Sequence, residues 1–103
     1  MENKDVFYNA ILGLQKYSTS TCRLLDTFLK LENNNQITAS IEYLIKTTSL
    51  TKPTIYSSIK ILKKDGVIIK DKDFRNTYTF DQARIQEIIL QYKKQLSLIN
   101  TKT

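Results

Sequence analysis

The sequence predicts a mainly α fold with a small β-hairpin, and three observations between Ala39 and Phe80 support this prediction. Two segments with helical spacing of apolar residues follow each other, with Ser49 and Leu50 as the turn between them. Gly66 ends the second segment, because glycine adopts a positive φ without strain. A β-branched segment and an alternating segment then flank a polar tip, as in a hairpin. This order predicts a winged helix-turn-helix with extra N- and C-terminal helices.

The first part of the chain predicts two helices and a short strand. A helix is expected over residues 4–17, where apolar residues recur at helical spacing: Phe7, Ala10, Ile11, Leu14 and Tyr17. A second helix is expected over 21–31, after a break in which Ser18 to Thr21 supply an N-cap. Following a polar loop, residues 36–38 predict a strand that pairs with the hairpin.

The helix-turn-helix is expected at about residues 39–65, with its helices over 38–47 and 51–65. Thr38 is the expected N-cap of the first helix, and Thr51 that of the second. Pro53 lies in the first turn of the second helix, where its missing N–H costs nothing. The apolar stripe of the second helix recurs at i, i+4 and i+7 and should face the core: Ile55, Ile59 and Leu62.

The hairpin, called the wing, is expected at about residues 67–80, with strands in 67–72 and 77–80. A C-terminal helix at about 81–99 should begin with Asp81 as its N-cap. One narrow apolar stripe runs along this helix: Ile85, Ile88, Ile89, Tyr92, Leu96 and Ile99. Neither a repeat nor a low-complexity linker divides the chain, so residues 1–103 are expected to form one domain.

The positive charge is concentrated in the predicted helix-turn-helix and wing. The net charge is +6, yet residues 1–39 carry as many acidic as basic residues. Residues 40–75 hold eight basic residues against four acidic ones, and the remainder of the chain adds the other two charges. A basic surface of this kind suits an anionic partner such as nucleic acid, although solvated surfaces without such a partner are also lysine-rich.

The residue types argue against an enzyme. Histidine is absent, which removes the commonest general base and metal ligand. The two glycines do not form a phosphate-binding loop, and the carboxylates lack metal-ligand spacing, so we expect neither a cofactor nor a metal. The single cysteine, Cys22, fits a reducing cytoplasm. No apolar run reaches the ~20 residues of a membrane span, and no secretory pattern opens the sequence, so we expect a cytoplasmic protein without a membrane partner.

The candidate DNA-binding residues lie on the second helix of the helix-turn-helix and on the wing. A helix in the major groove needs small polar or long basic side chains on its outer face. Four residues are expected to read or flank bases: Lys52, Thr54, Ser57 and Lys60. Four more are expected to hold phosphate or enter the minor groove: Lys63, Lys64, Lys72 and Arg75. Arg75 is the wing residue best suited to a narrow minor groove.

The first and last predicted helices raise the question of a homodimer. They carry more apolar side chains than a small core absorbs, because Val6, Phe7, Leu90 and Leu98 also need shelter. Burying an Ile or Leu side chain contributes about 1.5–3 kcal/mol. A two-fold homodimer would shelter these residues and place two recognition helices on one face of DNA. The alternative is that both helices wrap their own domain.

The segment from Leu50 to Ile68 resembles the recognition helix and first wing strand of many bacterial winged-helix proteins. The layout of the whole chain is most similar to the TubR family, the centromere-binding adaptors of tubulin-type (type III) plasmid and phage partition systems. Lys52-Pro53-Thr54 matches the start of their recognition helix, and Arg75 falls in the wing where that family uses basic residues. The same start also occurs in MarR-like and replication-related winged helices.

This resemblance implies a homodimer that binds repeated sites on double-stranded DNA and represses its own operon. It also implies recruitment of a filament of the tubulin-like GTPase TubZ. Two other functions stay open from the residues alone: a stand-alone transcriptional repressor, and a winged helix that grips a protein and does not bind DNA. A single palindrome in a DNA footprint would favour the repressor, and tandem direct repeats would favour partition.

Overall fold

Within residues 1–101, which the computed structural model describes, five helices and a three-stranded antiparallel sheet share one hydrophobic core. The helices are α1 (Lys4–Gly13), α2 (Thr19–Leu31), α3 (Ile41–Thr48), α4 (Lys52–Lys64) and α5 (Gln82–Thr101). The strands are β1 (Gln36–Thr38), β2 (Ile68–Lys70) and β3 (Thr77–Phe80). The predicted mainly helical fold with a small hairpin is confirmed.

The sheet has the order β1-β3-β2, so β3 pairs with both neighbours. Ile37 lies opposite Tyr78, and Ile68 lies opposite Phe80. All four side chains are buried, because residues that face each other across a ladder point to the same side of the sheet. The prediction that residues 36–38 pair with the hairpin is therefore confirmed.

The core is built around α2, which contacts α1, α3, α4 and β1. The largest fully buried side chains come from all five helices and the sheet: Phe7, Ile11, Leu24, Leu25, Phe28, Ile37, Leu44, Ile55, Leu62, Ile68, Ile85 and Ile88. The ring of Phe28 stacks on that of Tyr78, with 5.8 Å between the centroids. Since α4 packs on both α2 and β2, the core holds it from two sides.

The predicted first helix over residues 4–17 is wrong at its end, because α1 stops at Gly13. Gln15 has a φ of 51°, which turns the chain towards α2. Leu14 and Tyr17 lie in the linker after α1 and still pack against the core. The apolar spacing therefore extends beyond the end of the helix, which explains why the predicted helix was too long. A Cβ atom at Gly13 would overlap the ring of Tyr92, so glycine lets α5 approach α1 closely.

Two other helix starts differ from the prediction. Helix α2 begins at Thr19 rather than residue 21, since Ser18 accepts the N–H of Thr21 in the N-cap. Helix α3 begins at Ile41, because the cap is Ser40 and the predicted cap, Thr38, belongs to β1. Pairing of Thr38 with Thr77 in the sheet, including a contact of 3.1 Å between their hydroxyls, outweighs its preference for a helix start.

The predicted limits of α4 are confirmed. Thr51 is the N-cap, Pro53 lies in the first turn, and Gly66 follows with a φ of 79°. Strand β3 matches the prediction, whereas β2 covers only residues 68–70 of the predicted 67–72. Asp81 accepts the N–H groups of Ala83 and Arg84 at 3.0 and 3.3 Å, which confirms it as the cap of α5.

Helix α5 divides into a covered half and an uncovered half. It packs on α1, and its first apolar residues are buried. All described side chains from Lys93 to Ile99 are exposed. Phe7 was wrongly expected to need shelter from a second copy, because it is fully buried within its own chain, whereas Val6, Leu90 and Leu98 remain more than half exposed. None of the described helices has the length and apolarity needed to cross a membrane.

Candidate nucleic-acid interface

Helix α4 separates an apolar side from a basic side. Ile55, Ile59 and Leu62 are buried, as predicted from their spacing, and Ser58 is buried among them. The opposite side and the neighbouring wing form a surface that we call the basic face. Its members are all exposed: Lys52, Ser57, Lys60, Lys63 and Lys64 on α4, with Lys70, Lys72 and Arg75 on the wing.

The cations of the basic face have no acidic partner within residues 1–101. The ion pairs found there involve other basic groups: the N-terminal amine, Lys4, Lys16, Lys30 and Arg84. Two nearby carboxylates are engaged elsewhere. Asp65 pairs with Lys16 and Arg84, and Asp71 accepts the backbone N–H groups of Asp73 and Phe74 at 2.8 and 2.9 Å. The basic face is therefore available to an external anion.

Asp71 illustrates how the wing keeps a carboxylate ionised mainly through backbone N–H groups. The hydrogen bonds from the N–H groups of Phe74 and Asp73 lower the pKa of the Asp71 carboxyl, and the nearby Lys70 adds to this shift. The carboxylate thus shapes the turn of the hairpin, in the manner of an Asx-turn. Lys72 and Arg75 project from this ordered tip rather than from a loose loop.

The C-terminal end of α4 is tied to two distant parts of the chain through Asp65. The Arg84 side chain of α5 donates from Nε to the Asp65 carbonyl at 2.9 Å and from Nη2 to its carboxylate at 2.8 Å. Tyr17, in the linker between α1 and α2, donates its hydroxyl to the same carboxylate, and Lys16 lies 3.4 Å away. These contacts hold the basic face in one position relative to the core.

The titration of Asp65 follows from these contacts. Burial opposes ionisation of this carboxyl, but hydrogen bonds from Tyr17 and Arg84 and the charges of Lys16 and Arg84 outweigh it, so the Asp65 pKa lies below its ordinary value. Burial, followed by the hydrogen bond to Asp65, raises the pKa of the Tyr17 phenol. Near neutral pH, Asp65 is therefore an anion and Tyr17 a hydrogen-bond donor.

The middle of α4 and the preceding turn are also held by hydrogen bonds. The buried hydroxyls of Thr21 on α2 and Ser58 on α4 are 3.0 Å apart. Thr48 donates its hydroxyl to the Leu44 carbonyl at 2.6 Å and accepts the N–H of Leu50 at 3.1 Å. Ser49 has a φ of 60°, which reverses the chain between α3 and α4. Leu50 packs against the core in this turn.

The predicted site residues on α4 differ in how accessible they are. Ser57 and Lys60 lie near the centre of the exposed side of α4, opposite the buried stripe. Thr54 is half-buried, and its hydroxyl accepts a hydrogen bond from the hydroxyl of Thr51 at 2.9 Å. Thr54 is thus part of the N-cap of α4, which leaves Ser57 and Lys60 as the better placed of the predicted base readers.

Tyr56 lies beside the basic face, although it is not among the residues predicted to bind DNA. Its side chain is 50% exposed, and the Nζ atom of Lys52 lies 6.0 Å from the centre of its ring. Tyr56 follows Lys52 by four positions, so the two side chains lie on the same flank of α4. A tyrosine hydroxyl at this edge can donate to a phosphate oxygen while the neighbouring lysine supplies charge.

The described residues contain no group of three or more potential metal ligands. Cys22 is buried, and its thiol lies 3.7 Å from the carbonyl oxygen of Tyr17. Burial raises the pKa of this thiol, so it is protonated near neutral pH, whereas a metal ligand must be a thiolate. The basic face offers cations and a hydroxyl to a ligand, with Tyr56 and Ile61 exposed beside them on α4.

No protein-family model matches this chain, and comparisons with curated proteins and with solved structures find no significant match. The basic face and the surfaces around it are therefore the features that bear on function.

Proposed function

We propose that this chain is a winged-helix protein that binds specific double-stranded DNA as a homodimer. The observation that carries the proposal is the basic face. Helix α4 buries Ile55, Ile59 and Leu62. Along the opposite side and its flank it exposes three lysines that form no ion pairs in residues 1–101, namely Lys60, Lys63 and Lys64. The wing beside it adds Lys72 and Arg75, so cations extend over two neighbouring elements.

In this proposal α4 enters the major groove, which is wide enough for an α-helix. Ser57 and Lys60 face the base edges, where a lysine can donate to the N7 and O6 atoms of guanine. Lys52 and Lys63 lie on one flank of this surface and Lys64 lies at its C-terminal end, where these lysines contact phosphates along the groove. Arg75 at the wing tip reaches the adjacent minor groove, where a narrow A·T-rich groove concentrates negative potential.

The homodimer part of the proposal rests on α5. The stripe that is buried at Ile85, Ile88 and Ile89 continues to Leu96 and Ile99, which are exposed in the single chain. A second copy packed across this stripe would cover it, and a two-fold axis would present two α4 helices to one face of DNA. Two such helices bind half-sites about one helical turn apart.

For the biological role we propose a partition adaptor that binds repeated DNA sites, recruits a tubulin-like GTPase filament and represses its own operon. The resemblance of residues 50–68 and of the chain layout to the TubR family supports this role. A stand-alone repressor would use the same basic face. A DNA footprint separates the two, because tandem direct repeats support the adaptor and one palindrome supports the repressor.

The experiment is a binding titration on duplexes selected from a random pool by the unaltered protein. Lys60→Ala should weaken binding to the selected site by about 1–3 kcal/mol, since one base contact is lost. The matched control is Lys30→Ala, which removes the same charge from an exposed lysine of α2 that pairs with Asp26 at 3.0 Å. The control should leave affinity nearly unchanged.

The salt dependence of the same titration tests the role of the charges. Affinity should fall steeply with salt, because each phosphate contact releases a counterion. Lys63→Ala or Lys64→Ala should reduce the slope of log K against log salt by about one unit each. If the protein binds no duplex in a salt-dependent manner, the proposed DNA binding is wrong. The alternative function, a winged helix that binds another protein, is then favoured.

A further inference from the structure

The tip of the hairpin between β2 and β3 exposes an aromatic ring. The Phe74 side chain is 68% exposed, the highest fraction among the large hydrophobic residues in the described part of the chain. Polar residues and glycine usually occupy such turns, because they solvate well and tolerate the backbone angles. A phenylalanine here has no core to pack against, so its ring is available to a partner.

The backbone on both sides of Phe74 is held in place. The Asp71 carboxylate accepts the N–H groups of Asp73 and Phe74, and the N–H of Asp71 donates to the Thr77 carbonyl at 2.9 Å. On the other side, the Thr77 hydroxyl donates to the carbonyl of Arg75 at 3.1 Å. The ring is therefore presented from an ordered tip, which reduces the entropy lost when it binds.

The charges around Phe74 select the kind of partner. Lys72 and Arg75 lie on either side of Phe74 in the sequence, both are exposed, and neither forms an ion pair within residues 1–101. Asp73 is also exposed directly before Phe74, but residues 70–75 together carry three basic residues against two acidic ones. A negatively charged surface that also offers an apolar gap fits this combination. Stacked base pairs between two phosphate backbones have both properties, and phenylalanine is among the side chains that proteins insert between base steps from the minor groove.

We propose that Phe74 is a wedge that inserts between base pairs in the minor groove and bends the duplex. This inference rests on the proposed DNA binding, because α4 in the major groove brings the wing to the neighbouring minor groove. Arg75 lies in the minor groove beside the ring, and Lys72 contacts a neighbouring phosphate, while the ring unstacks one base step. A flexible step such as TA or CA/TG is the preferred position, since it is kinked most easily.

The test measures DNA bending separately from DNA binding. The selected duplex carries a donor and an acceptor dye at its two ends, and a second duplex carries 2-aminopurine at successive positions under the wing. Binding of the unaltered protein should raise energy transfer, consistent with a bend of ~20–90°, and should raise 2-aminopurine fluorescence at one step. Phe74→Ala should lose most of both changes while affinity falls less than tenfold.

Two further variants make the comparison specific. Phe74→Leu keeps an apolar wedge and should retain most of the bend. Ile69→Ala removes a 55% exposed apolar side chain from β2 of the same hairpin and should leave bending and 2-aminopurine fluorescence unchanged. Circular dichroism of each variant shows whether the fold is intact.

The outcomes distinguish the wedge from the DNA binding on which it rests. If the unaltered protein binds the duplex but Phe74→Ala bends it equally, or neither bends it, the wedge is wrong and DNA binding stands. If Phe74→Ala leaves bending unchanged and instead lowers the mass of the assembly, the ring contacts another protein chain and the wedge is again wrong. If the unaltered protein binds no duplex, both proposals fall.

Discussion

Asp65 is the residue through which two distant parts of the chain hold the end of α4. Its carboxylate and carbonyl accept hydrogen bonds from Arg84 on α5. The carboxylate also accepts a hydrogen bond from the hydroxyl of Tyr17, which lies in the linker before α2. An acidic residue near the end of a basic helix would by itself reduce the attraction for DNA. Here Lys16 and Arg84 compensate its charge, so the neighbouring lysines keep their effect.

The first residue-level prediction concerns Asp65→Asn. We expect the free energy of unfolding at pH 7 to fall by about 1–3 kcal/mol, because charged hydrogen bonds to a half-buried carboxylate are lost. Urea denaturation followed by circular dichroism measures this. Asp26→Asn is the control, since Asp26 pairs with Lys30 on the surface, where such pairs contribute about 0–1 kcal/mol.

The pH dependence of the same variant follows from the direction of the Asp65 shift. Folding lowers the Asp65 pKa below 3.8, so its contribution to stability is fully present above that value and is lost as the pH falls through the folded pKa. The difference between the unaltered protein and Asp65→Asn should therefore be largest near neutral pH and shrink below pH 3.8. If the difference in unfolding free energy between the two proteins stays constant down to pH 2.5, on the order of one unit below 3.8, the stabilising role assigned to the Asp65 carboxylate is contradicted.

At the scale of elements, α4 is the best predicted of the helices because its limits depend on its own residues. Thr51 caps it, Pro53 suits its first turn, and Gly66 provides the positive φ that ends it. The end of α1 and the start of α3 were wrong, since contacts with other elements decide them. At Gly13, the absence of a Cβ atom leaves room for the ring of Tyr92 on α5. Thr38 pairs with Thr77 in the sheet.

The element-level prediction tests the cap of α4. Thr51→Ala removes the hydroxyl that accepts the Thr54 N–H at 3.4 Å, and we expect a loss of about 1 kcal/mol in unfolding free energy. Affinity for the selected duplex should fall as well, because Lys52 and Thr54 lie in the first turn. Thr51→Ser keeps a capping oxygen and should behave like the unaltered protein in both measurements.

Thr47→Ala provides the matched control for this prediction. Thr47 is exposed in the last turn of α3, and its replacement is the same chemical change outside the cap. We expect its unfolding free energy to stay within about 0.5 kcal/mol of the unaltered protein. Equal losses for Thr51→Ala and Thr47→Ala would show that the cap does not stabilise the start of α4.

At the scale of the whole molecule, apolar surface and charge are distributed unequally. The acidic residues Asp26, Glu32 and Glu87 form ion pairs within the chain, away from the basic face. The second half of α5 continues the apolar stripe beyond the core, and the molecule extends 48 Å along its longest axis. The cations are thus available to DNA, and the stripe is available to a second copy.

The whole-molecule prediction is that the stripe on α5 carries the homodimer. Leu96→Gln combined with Ile99→Gln should shift the protein towards the mass of one chain in sedimentation equilibrium, because apolar area of the interface is replaced by amide groups. Glutamine keeps the net charge and a high helix propensity. DNA affinity should fall together with the mass, since two linked α4 helices bind more tightly than one.

Ile69→Gln is the control for the dimer prediction. Ile69 is 55% exposed, as Ile99 is 54% exposed, but it lies on β2 of the hairpin and not on α5. This variant should keep the mass of the unaltered protein. An unaltered chain that stays monomeric at every concentration tested, with and without the selected duplex, would contradict the homodimer.

Local chemistry in the sequence was sufficient to predict the types of the helices and strands, the cap and end of α4, and the side of α4 that carries lysines and hydroxyls. These features depend on residues a few positions apart, so spacing and backbone preference reveal them. The folded chain was needed to find the anchoring of α4 through Asp65, the early end of α1 and the cations that lack an acidic partner in residues 1–101. Tyr17 and Arg84 lie 48 and 19 positions from Asp65, and folding alone brings such distant residues into contact.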